Sequence, residues 1–174
     1  MTQKAPRYAD GPVVEVDVLI AAPPSTVWRF VSDIGLPARF SSEFTGAEWA
    51  EPDAAPGVGS RFTGHSEHAA IGTWQTTCTL VEYEEPKAFA YVVAGLDGPE
   101  PPSCTWRFTL EPEAGGTRLR QWARMGPGRS GLSFAIEAMP DKEQRIVARR
   151  LREFRENMTA TVNGIRDLAE EAAR

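Results

Sequence analysis

The chain reads as an α+β domain in which a curved antiparallel sheet of six or seven strands wraps around a long C-terminal helix. Three observations predict this. Val13 to Ile20 alternates apolar and polar residues and runs directly into a proline-bounded short helix. The middle of the chain is a run of strand patterns separated by turn residues, with no long helical period. The end carries Val147, Leu151, Phe154, Met158, Val162, Ile165 and Leu168, stepped by three or four residues, a single apolar stripe of about six turns.

In the first strand Val14, Val16, Val18 and Ile20 share a face, with Glu15 and Asp17 on the other. Pro23 and Pro24 stop it, and Pro24 or Ser25 suits the start of a helix reaching to about Ile34. Val27, Phe30 and Val31, with Trp28 beside them, form its inward face. Gly35-Leu-Pro37 breaks the helix, and Ala38 to Ser42 can form one further turn. Strands are expected over Phe44–Trp49, Arg61–Glu67 (Phe62 inward), Trp74–Tyr83 and Ala88–Ala94. The Gly/Pro-rich residues 95–102 form a loop. Cys104 to Leu110 then alternates cleanly, Gly115-Gly116 turns the chain, and Thr117 to Met125 pairs back. A short apolar helix, Leu132 to Met139, precedes the last one, which Asp141 caps with Gln144 three residues on as a capping box.

The chain has 174 residues, 41% hydrophobic and 25% charged, enough for one domain with its own core. Residues 1–11 read as a flexible polar leader and 12–174 as the domain. A net charge of −5 gives nucleic-acid binding no support, and no apolar run approaches membrane-spanning length. The first residues lack a signal-peptide core, so a cytoplasmic location is expected. Cys78 and Cys104 make no disulfide framework and read as buried reduced thiols.

Residues Ala22-Pro-Pro-Ser-Thr-Val-Trp-Arg-Phe-Val-Ser-Asp33, Gly57-Val-Gly-Ser-Arg-Phe62, Trp106-Arg-Phe-Thr-Leu110, Gly115-Gly-Thr-Arg118 and the C-terminal helix together resemble the START-like, or SRPBCC, superfamily over residues 13–172. Within it the chain is most similar to single-domain polyketide cyclase/dehydrase-type proteins. The resemblance implies the helix-grip fold and a cavity between sheet and helix. It does not fix an activity, because the superfamily includes enzymes, carriers, resistance proteins and protein-interaction modules.

Strand alternation places Trp74, Thr76, Cys78, Trp106, Phe108, Gln121 and Ala123 on the face toward the last helix, with Phe154 and Met158 opposite. Between them a mostly apolar cavity of about 300–1,000 Å³ is expected, the usual range for a small-molecule site. Trp28, Trp74 and Trp106 can serve as its aromatic walls or as plain core. Gln121 and Thr76 need partners, which a ligand, a water or the backbone could supply.

No residue pattern marks a catalytic set: there is no paired carboxylate, phosphate loop or triad spacing. His65 and His68 point to opposite sides of a strand and read as a solvent-exposed edge, so no metal site is expected. Arg145, Arg149, Arg150, Arg152 and Arg155, interleaved with Glu153 and Glu156, read as a solvated helix face.

The expected function is therefore binding of a polyketide-, aromatic- or lipid-like molecule by a carrier or sequestering protein, without a cofactor, acting as monomer or homodimer. Self-resistance in a natural-product producer, of the enediyne self-sacrifice kind, is a special case that the resemblance permits. The alternatives are a polyketide cyclase or aromatase of natural-product biosynthesis, and an interaction module like the heat-shock-protein ATPase activators. Whether the chain is an enzyme stays open at this level.

Overall fold

The computed structural model describes residues 4–174. Its strands are β1 (Val13–Ile20), β2 (Phe44–Trp49), β3 (Arg61–His68), β4 (Gly72–Glu84), β5 (Ala88–Val93), β6 (Cys104–Glu113) and β7 (Gly116–Met125). Its helices are α1 (Pro24–Val31), α2 (Gly131–Ala138) and α3 (Glu143–Ala172). The seven strands form one antiparallel sheet in the order β1-β7-β6-β5-β4-β3-β2, with β1 and β2 at its edges. β2 through β7 follow one another in sequence order as antiparallel neighbours, through short turns at β3–β4, β4–β5 and β6–β7 and longer loops at β2–β3 and β5–β6. Gly115 makes the β6–β7 turn at φ +87°, a conformation open to glycine at no steric penalty.

α1 opens with Pro24 in its first turn and buries Val27, Trp28 and Val31. It ends at Val31 rather than Ile34, and the Ser32 hydroxyl donates to the Trp28 carbonyl at 2.8 Å, helping to satisfy an end-of-helix acceptor. The next turn of helix falls at Leu36–Arg39, two residues earlier than its sequence signal. In β4 the pairing with β5 shifts register between Leu80 and Glu82. This bulge leaves Val81 outside and lets both Leu80 and Tyr83 face the core.

α3 lies across the inner face of the sheet. Its stripe is present, but unevenly buried. Val162, Ile165 and Ala169 are sealed in the main core with Ile20, Val27, Trp28, Phe89 and Leu119. Each fully buried side chain of this size contributes about 1.5–3 kcal/mol. Val147 and Met158 are buried too, whereas Leu151 and Phe154 are only half-buried. The main core thus sits beneath the C-terminal half of α3, and the looser contact is local to Leu151 and Phe154, between the buried Val147 and Met158.

Two expectations at the helix start are corrected. Asp141 belongs to a 3-10 turn, Pro140–Lys142, and does not cap α3; Lys142 precedes the first helical residue, with no side-chain cap. Gln144 instead donates to the carbonyl of Ala5. Two residues ahead of β1 reach the same helix start: Glu143 accepts from the Tyr8 amide at 3.1 Å and pairs with Arg7 at 3.3 Å. The Tyr8 hydroxyl donates to the Gly128 carbonyl.

Candidate functional site

Sheet register builds the site row by row. One inward row runs Leu80, Tyr91, Trp106, Ala123, Val14 across β4, β5, β6, β7 and β1. The next runs Tyr83, Phe89, Phe108, Gln121, Val16. Against the β1–β7–β6 part of these rows stands the N-terminal half of α3. Val14, Ala123 and Met158 form a small buried cluster there, with Val16, Trp106, Leu151 and Phe154 packed around it. The Trp106 and Phe154 rings approach to 5.0 Å at an interplanar angle of 40°.

Of the nine residues expected to line a pocket, Trp106, Ala123, Phe154 and Met158 come together in this cluster. Phe108 and Gln121 lie in the adjacent row, and both are buried. Cys78 sits further along, in a row with Phe62, Val93, Cys104 and Met125. Trp74 and Thr76 share its face but lie toward the β3–β4 turn, half-buried, opposite Ser66 and Gly64. Trp28 is core: its indole packs edge-on against Tyr83 at 5.3 Å and Phe89 at 6.2 Å.

Sequence reasoning passed over Val14, Val16, Tyr91, Leu151 and Arg150. The first two carry the same alternation that marked their strand, and Leu151 was already in the helix stripe. Burial pushes the Tyr91 phenol well above its ordinary pKa, yet its side chain keeps accessible surface. Tyr91 packs against the main core and is half-buried there. Trp106, Leu151 and Phe154 show the same partial accessibility. Two depressions lie elsewhere, one of about 410 Å³ on the outer sheet face beside Trp122 and one of about 300 Å³ beside the β2–β3 loop.

Arg150 is not on a solvated face. Its side chain is 13% exposed and makes paired hydrogen bonds to Glu43 at 2.6 and 2.8 Å and one to Glu153 at 2.7 Å. Its guanidinium carbon lies 5.0 Å from the centre of the Phe154 ring. Four residues before Phe154 on a helix places it over the same flank, where β2 begins. His68 also turns inward, 3.3 Å from Glu153, because β3 runs on to His68 and carries it against α3. His65 faces the other way, 3.4 Å from Glu48 but out of hydrogen-bond alignment. Burial works to raise the Glu153 carboxyl, but the hydrogen bond and charge of Arg150, together with His68, outweigh it and hold that carboxyl below its ordinary value.

Oxygens of Glu43 and Glu153 and a ring nitrogen of His68 lie within 4.8 Å of one another. Arg150 already occupies both carboxylates, so a cation here would have to displace a guanidinium. The group is an ion-pair network at the rim of the aromatic cluster. The cysteines are poor nucleophiles: burial pushes the Cys78 thiol up to about 11 and Cys104 higher still.

A long helix held in the curve of a seven-stranded antiparallel sheet is the helix-grip architecture of the START-like superfamily. Residues 12–159 match the family described as polyketide cyclase/dehydrase and lipid transport, and the chain belongs to that family. It is similar to the solved polyketide-cyclase-like protein Cgl2372 of Corynebacterium glutamicum, at 25% identity and a TM-score of 0.65, covering 92% of each chain. Its fold is also that of the Zhui aromatase/cyclase from Streptomyces sp. R1128, at 19% identity and a TM-score of 0.64, covering 94% of this chain and 96% of that one. The di-domain aromatase/cyclase StfQ of the steffimycin pathway gives a TM-score of 0.70 at 13% identity, over 92% of this chain and 52% of the longer protein. No curated protein matches the chain.

Proposed function

We propose that this protein binds a small hydrophobic molecule between the sheet and the N-terminal half of α3, and acts as its carrier or sequestering partner. The observation that carries this reading is the uneven closure of the interface. The C-terminal half of α3 is sealed by Val162, Ile165 and Ala169, while Tyr91, Trp106, Leu151 and Phe154 stay partly accessible although they face inward. Aromatic and aliphatic walls with few polar groups suit an apolar ligand. The family's description and its aromatase/cyclase neighbours support a polyketide- or lipid-like body. Retention without chemistry is the simpler role, because the ionisable groups at the rim are engaged with one another.

Cyclisation is the second reading, favoured by the Arg150–Glu153–His68 group standing against Phe154. A cyclase would fold a reactive chain against Trp106 and Phe154 and use positioning as its main contribution. Self-protection of a producer is a special case of sequestration, and would show as cleavage of the protein by an activated enediyne.

Titration with N-phenyl-1-naphthylamine, a neutral hydrophobic fluorophore, tests the reading. Saturable binding is expected, and Ala123→Phe should abolish it by filling the space beside Trp106 and Met158. Absence of binding, or binding indifferent to Ala123→Phe, would remove this site. The exposed apolar residues Leu96, Phe134 and Met139 on the β5–β6 loop and α2 would then direct attention to a protein-interaction role.

A further inference from the structure

We propose that the ligand carries a hydroxyl group on its apolar body and that Gln121 is the residue that selects for it. This rests on the hydrophobic-ligand reading above. Gln121 is 6% exposed, and its Oε1 is enclosed with no hydrogen-bond partner among the described residues. The backbone cannot supply one. Gln121 lies on β7 between β1 and β6, so both sides of its strand are committed to the ladder, opposite Val16 and Phe108. The side chains beside it, Val16, Phe108 and Ala123, offer no donor.

A buried acceptor without a donor costs folding stability, and an apolar side chain of similar size would line the wall without that loss. The amide therefore marks a place where a bound molecule completes the hydrogen bond. The chemistry of that molecule follows from the surroundings. Oε1 accepts, so a ketone, ether or carboxylate oxygen would meet it lone pair to lone pair. A cationic donor is disfavoured, because the apolar walls hold no counter-charge and the Arg150 guanidinium stands 5.0 Å from the Phe154 ring. A neutral donor remains, and on the polyketide- or lipid-like body proposed above that donor is an O–H. The half-buried rings of Trp106 and Phe154 favour a flat body behind it.

Calorimetric titration with 2-naphthol and its methyl ether, 2-methoxynaphthalene, separates the donor from the ring. The wild type should bind 2-naphthol about tenfold more tightly, the worth of one well-formed hydrogen bond to a buried group. In Gln121→Leu the preference should fall to within about twofold, with binding of the ether retained. Gln121→Met, of matching length, gives a second arm should the leucine not fold. Equal affinities in the wild type, or a preference that survives both substitutions, would overturn the role of Gln121 while leaving the pocket standing. Failure of both probes to bind the wild type would overturn the pocket and this assignment together.

Discussion

The indole of Trp106 on β6 and the phenyl ring of Phe154 on α3 meet 5.0 Å apart across the sheet–helix interface. The Arg150 guanidinium also lies over the Phe154 ring, 5.0 Å from its centre. One ring thus links the apolar interior to the ion-pair network at the rim.

Because Phe154 is half-buried, its truncation costs less than full burial in the stripe would imply. Phe154→Ala should destabilise by about 1–3 kcal/mol, and Met158→Ala, buried to 1% exposure, by about 2–5 kcal/mol. Arg152→Ala, on the exposed face, should stay within about 0.5 kcal/mol. Urea midpoints of the three variants check the order, and a Phe154 loss exceeding that of Met158 would reverse the picture of a loose contact at Leu151 and Phe154.

Gly164 tests the tight half. A Cβ there would stand 2.5 Å from ring carbons of Phe40. Helix propensity alone favours Gly→Ala by about 1 kcal/mol. The clash should win, leaving Gly164→Ala destabilised by about 1–3 kcal/mol. A raised thermal midpoint would show that Phe40 moves aside freely.

The Glu153 carboxyl is held below its ordinary value, so its interactions with Arg150 and His68 stabilise the fold above the unfolded carboxylate range. That contribution disappears as pH falls through the folded value. The stability profile should therefore drop on the acid side, and Arg150→Gln should flatten that drop while lowering stability at neutral pH. Identical acid limbs in the two proteins would argue that the network is energetically silent, as many exposed ion pairs are.

Thiol titration reads the sheet interior. With Cys78 pushed up to about 11 and Cys104 further, a disulfide reagent at pH 8 should find neither thiol in the native protein and both after denaturation. Fast labelling of the native protein would mean that the row containing them opens to solvent.

Much of this architecture was legible in the residues. The β1 alternation, the Pro23-Pro24 helix entry and the α3 stripe each follow a local period, and local periods survive into structure. The start of α3 was not legible, because Asp141 competes with a tertiary arrangement in which Ala5, Arg7 and Tyr8 dock onto Gln144 and Glu143. Arg150 was misplaced for a similar reason. Its helical position on the flank of the stripe is visible, but its partner Glu43 lies 107 residues away and nothing local announces it. The inward turn of His68 likewise depends on how far β3 extends toward α3. Gln121 stood out in the sequence as an inward polar residue; only the folded sheet, with paired ladders on both sides, leaves its Oε1 without a partner among the described residues.

Gln121→Leu should accordingly raise the stability of the ligand-free protein, by about 1–2 kcal/mol, since it removes an unpaired buried acceptor. Chemical denaturation of the two ligand-free proteins checks this. A loss of stability would mean that the amide has a partner within the fold.

The central claim is the location of the ligand, and methyl NMR of methionine-labelled protein during titration with 2-naphthol reads it most directly. Met158 sits at 1% exposure against Ala123 and Val14, Met125 lies in the neighbouring row with Cys104, and Met139 is on the surface at the end of α2. A saturable shift of the Met158 methyl, with Met139 unmoved, is the predicted result. A shift confined to Met139, with Met158 silent, would contradict the account and place binding on the outside of the molecule.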